Sequence, residues 1–240
     1  MIETATSVTF ADTRSLVFGD EPKGMLRLQA EGRTDYSDAD TFYINRAGHG
    51  WHWPIGATRD VQTPELTVAA RADTTVRWSP LLYDAPTTAS RARLTAIYAV
   101  LPLRLVQSRA PGLDAFGSVD PESERAAMAR LGAYTPPPSL ILHEGARLVP
   151  MWLLREPLAV AIDQIDEAKP GRWTKEEPDG LQAQRLLWNI ALAVGGDRTA
   201  LNSRTMLLQV PGTPAHGIFP RVLVTVHLGN VERRFTADEF

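Results

Sequence analysis

The sequence predicts an α+β fold with a mixed or mostly antiparallel sheet, and three observations lead to this prediction. The nearly all-apolar run Ile97–Val106 is typical of a strand in the middle of a sheet. From residue 120 onward, helix and strand patterns alternate, and residues 179–194 repeat apolar side chains at helical spacing. The sequence has no internal repeat and no low-complexity linker, so we expect residues 1–240 to form one domain.

The first half of the chain contains short β-branched and aromatic runs separated by turn residues. Residues 24–29, 41–45 and 74–78 are therefore strand candidates. Within the central run Ile97–Val106, Pro102 lacks a backbone N–H and argues against full ladder pairing unless it lies at a bulge or an edge.

The second half contains clear helix signals. Asp120 as N-cap, followed by Pro121, begins a helix that Gly132 ends. A second helix at 179–194 places Leu181, Leu187, Ile190 and Val194 on one face and ends at Gly195–Gly196. Strands are expected at 139–143, 148–154 and 221–228.

Composition limits the class of protein. Hydrophobic residues make up 44% of the 240 residues and charged residues 22%, which is typical of a globular protein. The absence of cysteine excludes disulfides and cysteine-ligated metal sites. A net charge of −3 argues against a strongly basic nucleic-acid binder. Without a long apolar run, we expect a soluble cytoplasmic protein that does not enter a membrane.

Four segments in a fixed order carry a family resemblance: Pro138–His143, Met151–Pro157, Gly195–Asp197 and Leu208–Thr213. The order resembles the catalytic domain of RepB-like primases, carried by plasmids and phages, in the archaeo-eukaryotic primase-polymerase superfamily. The resemblance implies a primase-polymerase-like fold with an RRM-like core and flanking helices. Residues 96–240 would be the motif-bearing core, and residues 1–95 an N-terminal part that matches more weakly.

The first family motif is a pair of aspartates, one residue apart, that holds divalent metal for nucleotidyl transfer. Two metals work because each stabilises one of the oxygens exchanged at phosphorus. On the matching strand, the resemblance places Arg104 and Val106 at these positions. An arginine repels the metal that an aspartate would hold.

The second and third motifs are also altered. Alignment on Trp152 places Val149 at the family's phosphate-contacting histidine, and His143 lies six residues earlier on the preceding strand. In the third motif, Asn202 or Ser203 stands where the family has an acid, Met206 where it has an arginine and Gln209 where it has a second basic residue. Pro211–Thr213 matches the family. We expect Pro211–Thr213 to form a type II turn.

The segment Arg46–Trp53 has two interpretations. His49 and His52 have metal-ligand spacing, but no third ligand lies close in sequence, so an aromatic loop packed on the sheet is the preferred interpretation. The same aromatic and basic residues could instead stack on nucleic-acid bases. The competing interpretation is that Trp51 and Trp53 pack in the core.

These observations predict a catalytically degenerate primase-like protein, not an active enzyme and without a cofactor, that binds nucleic acid weakly or serves as a scaffold. It would act in replication or maintenance of a plasmid, phage or other mobile element, with DNA or RNA and replication proteins as partners. The expected nucleic-acid contacts are Arg46, Trp51, Arg104, Arg147, Arg204 and Arg221. The alternative is an active primase-polymerase that holds Mg or Mn through displaced acids, with Asp84, Asp114 and Glu144 as candidates.

Overall fold

A computed structural model describes residues 12–13, 15–16, 25–31, 40–45, 49–53, 61–62, 75–84, 92–107, 117–160, 178–197, 207–215, 218 and 222–240. The first strands are β1 (Met25–Glu31), β2 (Asp40–Asn45), β3 (His49–Trp53), β4 (Val61–Gln62) and β5 (Thr75–Tyr83). They are followed by β6 (Ala92–Tyr98), β7 (Leu101–Pro102), β8 (Leu105–Gln107) and β9 (Gly117–Val119).

Two helices and four strands complete the described elements. In chain order they are α1 (Pro121–Ala133), β10 (Leu140–His143), β11 (Arg147–Val160), α2 (Pro178–Val194), β12 (Leu208–Gln209) and β13 (Thr225–Leu228). A short 3-10 helix spans Ala237–Glu239. Neither α1 nor α2 is long and apolar enough to cross a membrane.

The sheet joins both halves of the described chain. Its strand order is β13-β10-β11-β6-β5-β1-β2-β3-β4, with β12 also paired to β5 and β7 to β11, while β8 and β9 form a separate pair. Every one of these strand pairs is antiparallel. The predicted α+β class with an antiparallel sheet is confirmed.

Both helices match their sequence signals. The Asp120 side chain accepts the backbone N–H of Glu122, so it caps α1 as predicted. On α2, Leu187, Ile190 and Val194 are buried as the apolar spacing requires, and the side chain of Leu181 lies outside the described residues. This burial holds α2 against β6 and β11.

The structure corrects two expectations about strands. The run 97–106 is not one strand: β6 ends at Tyr98, and only the short β7 and β8 follow. Pro102, in β7, pairs with Arg147 of β11. Proline has no backbone N–H to donate to the neighbouring strand, which is consistent with the interruption of the run 97–106. The segment His49–Trp53 is not a loop, because it forms β3 and pairs with β2 along Thr41–Ile44.

The core lies around β5, β6, β10 and β11. Trp78, Tyr98 and Trp152 are completely buried. The indole N–H of Trp152 donates to the carbonyl of Pro136 at 2.8 Å, and its ring meets Tyr134 and Phe240 edge-on. These contacts fix β11, the strand that carries the second family motif.

Candidate functional site

The turn between β10 and β11 is tight and is covered by the chain itself. The backbone N–H of Glu144 donates to the carbonyl of Arg147 at 2.9 Å, and Gly145 has a φ of 70°. A Cβ at Gly145 would lie 2.7 Å from Cγ1 of Ile218, so glycine is required twice, for its backbone angle and for space. Ile218 therefore covers this turn.

Glu144 ties this hairpin to β12. Its buried carboxylate accepts the guanidinium Nε–H of Arg147 at 2.5 Å and the backbone N–H of Gln209 at 2.6 Å. Burial raises the pKa of Glu144, and the neighbouring Arg147 opposes that rise only in part. Arg147 also donates to the carbonyl of Leu207 at 3.1 Å. Sequence reasoning missed this buried ion pair as a structural element, although the i, i+3 spacing of opposite charges was a signal for it.

Gln209, at the second basic position of the third motif, is enclosed as well. Only 7% of its surface is exposed, and its carbonyl accepts the indole N–H of Trp78 at 3.2 Å. Gln209 pairs with Arg77 where β12 meets β5. The residue therefore belongs to the sheet and offers no free cation to a phosphate.

Val149, at the family's histidine position, is completely buried in β11. It pairs with Leu142 on one side, and the register of β11 against β6 and β7 places Val100 opposite it on the other. Residues opposite each other in a sheet point to the same face. The side chain at position 149 is therefore packed between apolar neighbours and has no access to solvent.

Arg104 and Val106 do not meet Val149. Because Val100 lies opposite Val149, Arg104 is four residues further along, about 13 Å away at the rise of an extended chain. Val106 is 52% exposed. Ser203, Asn202 and Met206 lie outside the described residues, so the third member of the expected cluster is not placed.

Beside Val149 and Arg147, the neighbouring segment carries Val100 and Pro102. Neither residue can ligate a metal through its side chain.

Arg104 is instead joined to the beginning of α1. Its guanidinium forms an ion pair with Asp120, and its backbone N–H donates to the hydroxyl of Ser123 at 3.0 Å. The hydrogen bond from Arg104 lowers the pKa of Asp120, and the bond from the Glu122 N–H lowers it further. The Arg104 side chain is 70% exposed, but a carboxylate already compensates its charge.

Of the candidate displaced acids, the two that the structure describes, Asp84 and Glu144, are not brought together. Asp84 forms an ion pair with Arg93 at 3.2 Å, at the end of β5. Glu144 lies beside Gln209, which pairs with Arg77 near the start of β5, so the two acids are about 23 Å apart along the strand. Asp114 lies outside the described residues. Within the described part of the chain, no three His, Asp or Glu side chains are grouped as metal ligands.

His143 belongs to a different cluster. It follows Leu142 in β10, so its side chain lies on the sheet face opposite to that of Val149. Its Nε2 is 3.2 Å from Glu124 of α1, and its Nδ1 accepts the backbone N–H of Gly145 at 3.3 Å. The ring of His227 is 6.3 Å away, and burial lowers the pKa of that histidine. His143 therefore cannot stand in for the family's histidine.

Pro211–Thr213 forms the predicted turn. Gly212 has a φ of 83°, and the N–H of Thr213 donates to the carbonyl of Val210 at 3.2 Å, as in a type II turn. The Thr213 hydroxyl donates to the same carbonyl at 2.7 Å. Both donors of Thr213 are thus used inside the turn.

Among the predicted nucleic-acid contacts, the structure describes the side chains of Arg104 and Arg147. These two are near each other, since the N–H of Leu103 donates to the carbonyl of Ala146 at 2.8 Å. Both are paired with carboxylates. Trp51 lies in β3 with its side chain outside the described set, and Arg46, Arg204 and Arg221 lie wholly outside it.

The comparisons with known proteins concern the fold of the chain. No family model and no curated protein matches the chain. Among solved structures, the AEP domain of the cyanophage S-2L primase-polymerase (PrimPol) is similar, with a TM-score of 0.53 and 12% sequence identity. The likeness covers 99% of this chain and 97% of that domain. This chain therefore has the fold of an AEP primase-polymerase domain.

Proposed function

We propose that this protein is a catalytically degenerate, RepB-like primase homologue that binds nucleic acid weakly or serves as a scaffold. It would act in the cytoplasm, in replication or maintenance of a plasmid, phage or other mobile element, together with replication proteins. The observation that carries the proposal is that Val149, at the position that the resemblance gives to the family's histidine, is completely buried between the apolar residues Leu142 and Val100. The similar fold of a phage primase-polymerase domain supports the replication setting.

The physical argument concerns charge. Phosphoryl transfer needs cations or donors where negative charge develops, and removing the metal ligands forfeits several kcal/mol of that stabilisation. In this chain, the hairpin carries Glu144 and Arg147, which neutralise each other, and its turn is packed against Ile218. Among the described residues of this turn, a nucleoside triphosphate would find no acid free to hold a metal and no unpaired cation.

Weak nucleic-acid binding would come from Arg46, Trp51, Arg104, Arg147, Arg204 and Arg221. Because Arg104 and Arg147 already have carboxylate partners, each gains less from a phosphate than a free arginine would. We therefore expect low affinity that falls steeply as salt increases.

The alternative is an active enzyme with Mg or Mn on displaced acids. Asp84 and Glu144 are too far apart to share one metal, so this function would need Asp114 or other residues outside the described ranges. A second acid beside Glu144 would be required, and Glu144 already forms an ion pair with Arg147.

A primer-synthesis assay tests the loss of catalysis. The full chain is incubated with single-stranded templates, nucleotides and either Mg²⁺ or Mn²⁺, and we expect no template-dependent product. Asp84→Ala and Glu144→Ala serve as matched variants. Template-dependent product from the wild-type protein would overturn the proposal, and its loss in an Asp84→Ala or Glu144→Ala variant that is still folded would favour the displaced-ligand enzyme.

Fluorescence anisotropy with labelled single-stranded DNA and RNA tests binding. We expect affinity to fall by at least about tenfold between about 50 and 200 mM salt, and Arg104→Glu to weaken it further. Affinity that is independent of salt and of Arg104→Glu would rule out this set of contacts, and no measurable binding would leave a scaffold function without nucleic acid.

A further inference from the structure

The orientation of α2 leaves one face of the helix uncovered. Leu187, Ile190 and Val194 are buried, so the helix cannot turn without exposing them. On the opposite side, Arg185, Trp188 and Leu192 follow at i, i+3 and i+7, which places them in one stripe along the helix. We call these three residues the α2 stripe.

The α2 stripe is unusually apolar for an exposed surface. Trp188 is 44% exposed and Leu192 is 69% exposed. The other tryptophans whose side chains the structure describes, Trp78 and Trp152, are completely buried. An exposed indole beside an exposed leucine is thus a feature of this face and not of the chain's tryptophans in general.

Positive charge lies at both ends of the stripe. Arg185 stands at the beginning of the stripe. At its other end, the guanidinium of Arg130 from α1 lies beside Gly195, because a Cβ at Gly195 would be 3.6 Å from Arg130 Cζ. Residues 182–194 contain no acid, and neither arginine forms an ion pair within the described part of the chain. Asp197, just beyond the helix, is half-buried.

We propose that the α2 stripe and Arg130 form a second contact site for single-stranded nucleic acid, with a base stacked on Trp188 and phosphates at the two guanidiniums. The inference rests on the proposed nucleic-acid binding and adds a surface to it. An indole face accepts any base, and arginine pairs with phosphate. The helical rise separates Arg185 from Gly195 by about 15 Å, which leaves room for more than one nucleotide between the charges.

A protein partner fits the same surface less well. A stable protein interface needs about 800 Å² from each partner, far more than two apolar side chains supply. Two guanidiniums without an ion-pair partner among the described residues, one on each side of the indole, favour a polyanion over an apolar helix or a second copy of this chain.

The test measures binding of the full chain to labelled single-stranded DNA of about 20 nucleotides by anisotropy. We expect Trp188→Ala to weaken binding about tenfold, Trp188→Phe to restore most of it, and Arg130→Glu with Arg185→Glu to weaken it and lower the salt dependence. Arg125→Glu is the matched control for each single reversal, Arg130→Glu or Arg185→Glu, because Arg125 is exposed on α1 and lies outside the stripe.

Each outcome decides between the two proposals. If Arg104→Glu weakens binding but Trp188→Ala does not, the second site is wrong and the proposed function stands. If the folded wild-type protein binds no nucleic acid at all, the nucleic-acid function fails and this site fails with it. If Trp188→Ala changes the oligomeric state and leaves DNA affinity intact, the stripe is a contact between copies of the chain, and the inference is overturned.

Discussion

The carboxylate of Glu144 accepts the backbone N–H of Gln209 at 2.6 Å, although the two residues are 65 positions apart. This bond joins the β10–β11 turn to β12, and Arg147 supplies the opposite charge. Arg147 also donates to the carbonyl of Leu207, so the Glu144–Arg147 pair holds the turn against the segment that contains β12.

Glu144→Ala should lower the free energy of unfolding by about 3 kcal/mol, because it leaves Arg147 without its counter-charge and the Gln209 N–H without an acceptor. Urea denaturation of the purified protein measures this. Glu144→Gln, which keeps an acceptor oxygen, should cost less than Glu144→Ala. A loss below about 0.5 kcal/mol for the alanine variant would show that the bond contributes little.

Asp120 should make the stability depend on pH. Since Arg104 lowers its pKa in the folded protein, the ionised form stabilises the fold above the unfolded pKa of about 4, and this stabilisation is lost as the pH falls through the lowered folded value. Asp120→Asn keeps a capping oxygen and removes the charge. The stability difference between wild type and Asp120→Asn should therefore shrink below about pH 4. A constant difference across that range would contradict the ion pair.

Gly145 and Gly212 allow a matched comparison of two glycines with positive φ. No atom lies within 4 Å of a Cβ at Gly212, so Gly212→Ala should cost only the backbone strain, about 1 kcal/mol. Gly145→Ala adds a collision with Ile218 and should cost more than about 2 kcal/mol. Thermal and urea unfolding check both values, and equal losses would mean that the Ile218 contact is not made.

Val149→His introduces, at a completely buried position, the histidine that the resemblance expects there. A buried imidazole without a hydrogen-bond partner should destabilise the protein by about 2 kcal/mol and should bring no primer synthesis. Val149→Ile, which stays apolar, is the control for the change in volume. Template-dependent synthesis by the histidine variant would show that metal can still bind near residue 149, and it would contradict this prediction.

The local elements were predictable from sequence. Asp120 and Pro121 mark the beginning of α1 because a capping oxygen and a fixed φ act within a few residues. The Pro–Gly pair at 211–212 specifies its turn for the same reason, and Leu187, Ile190 and Val194 set the buried face of α2 through their spacing alone. The primase-polymerase fold was also predictable, through the order of the motif segments.

The candidate site depended on the tertiary structure, because contacts between distant residues leave little local signal. Only the register of β11 against β6 and β7 places Val100 beside Val149, and no property of the run 97–106 specifies that register. The Glu144–Gln209 bond and the meeting of Arg130 with the end of α2 join segments separated by many residues. The sequence by itself determined which elements form and which residues stand at the motif positions, and the packing of those elements decided which side chains meet.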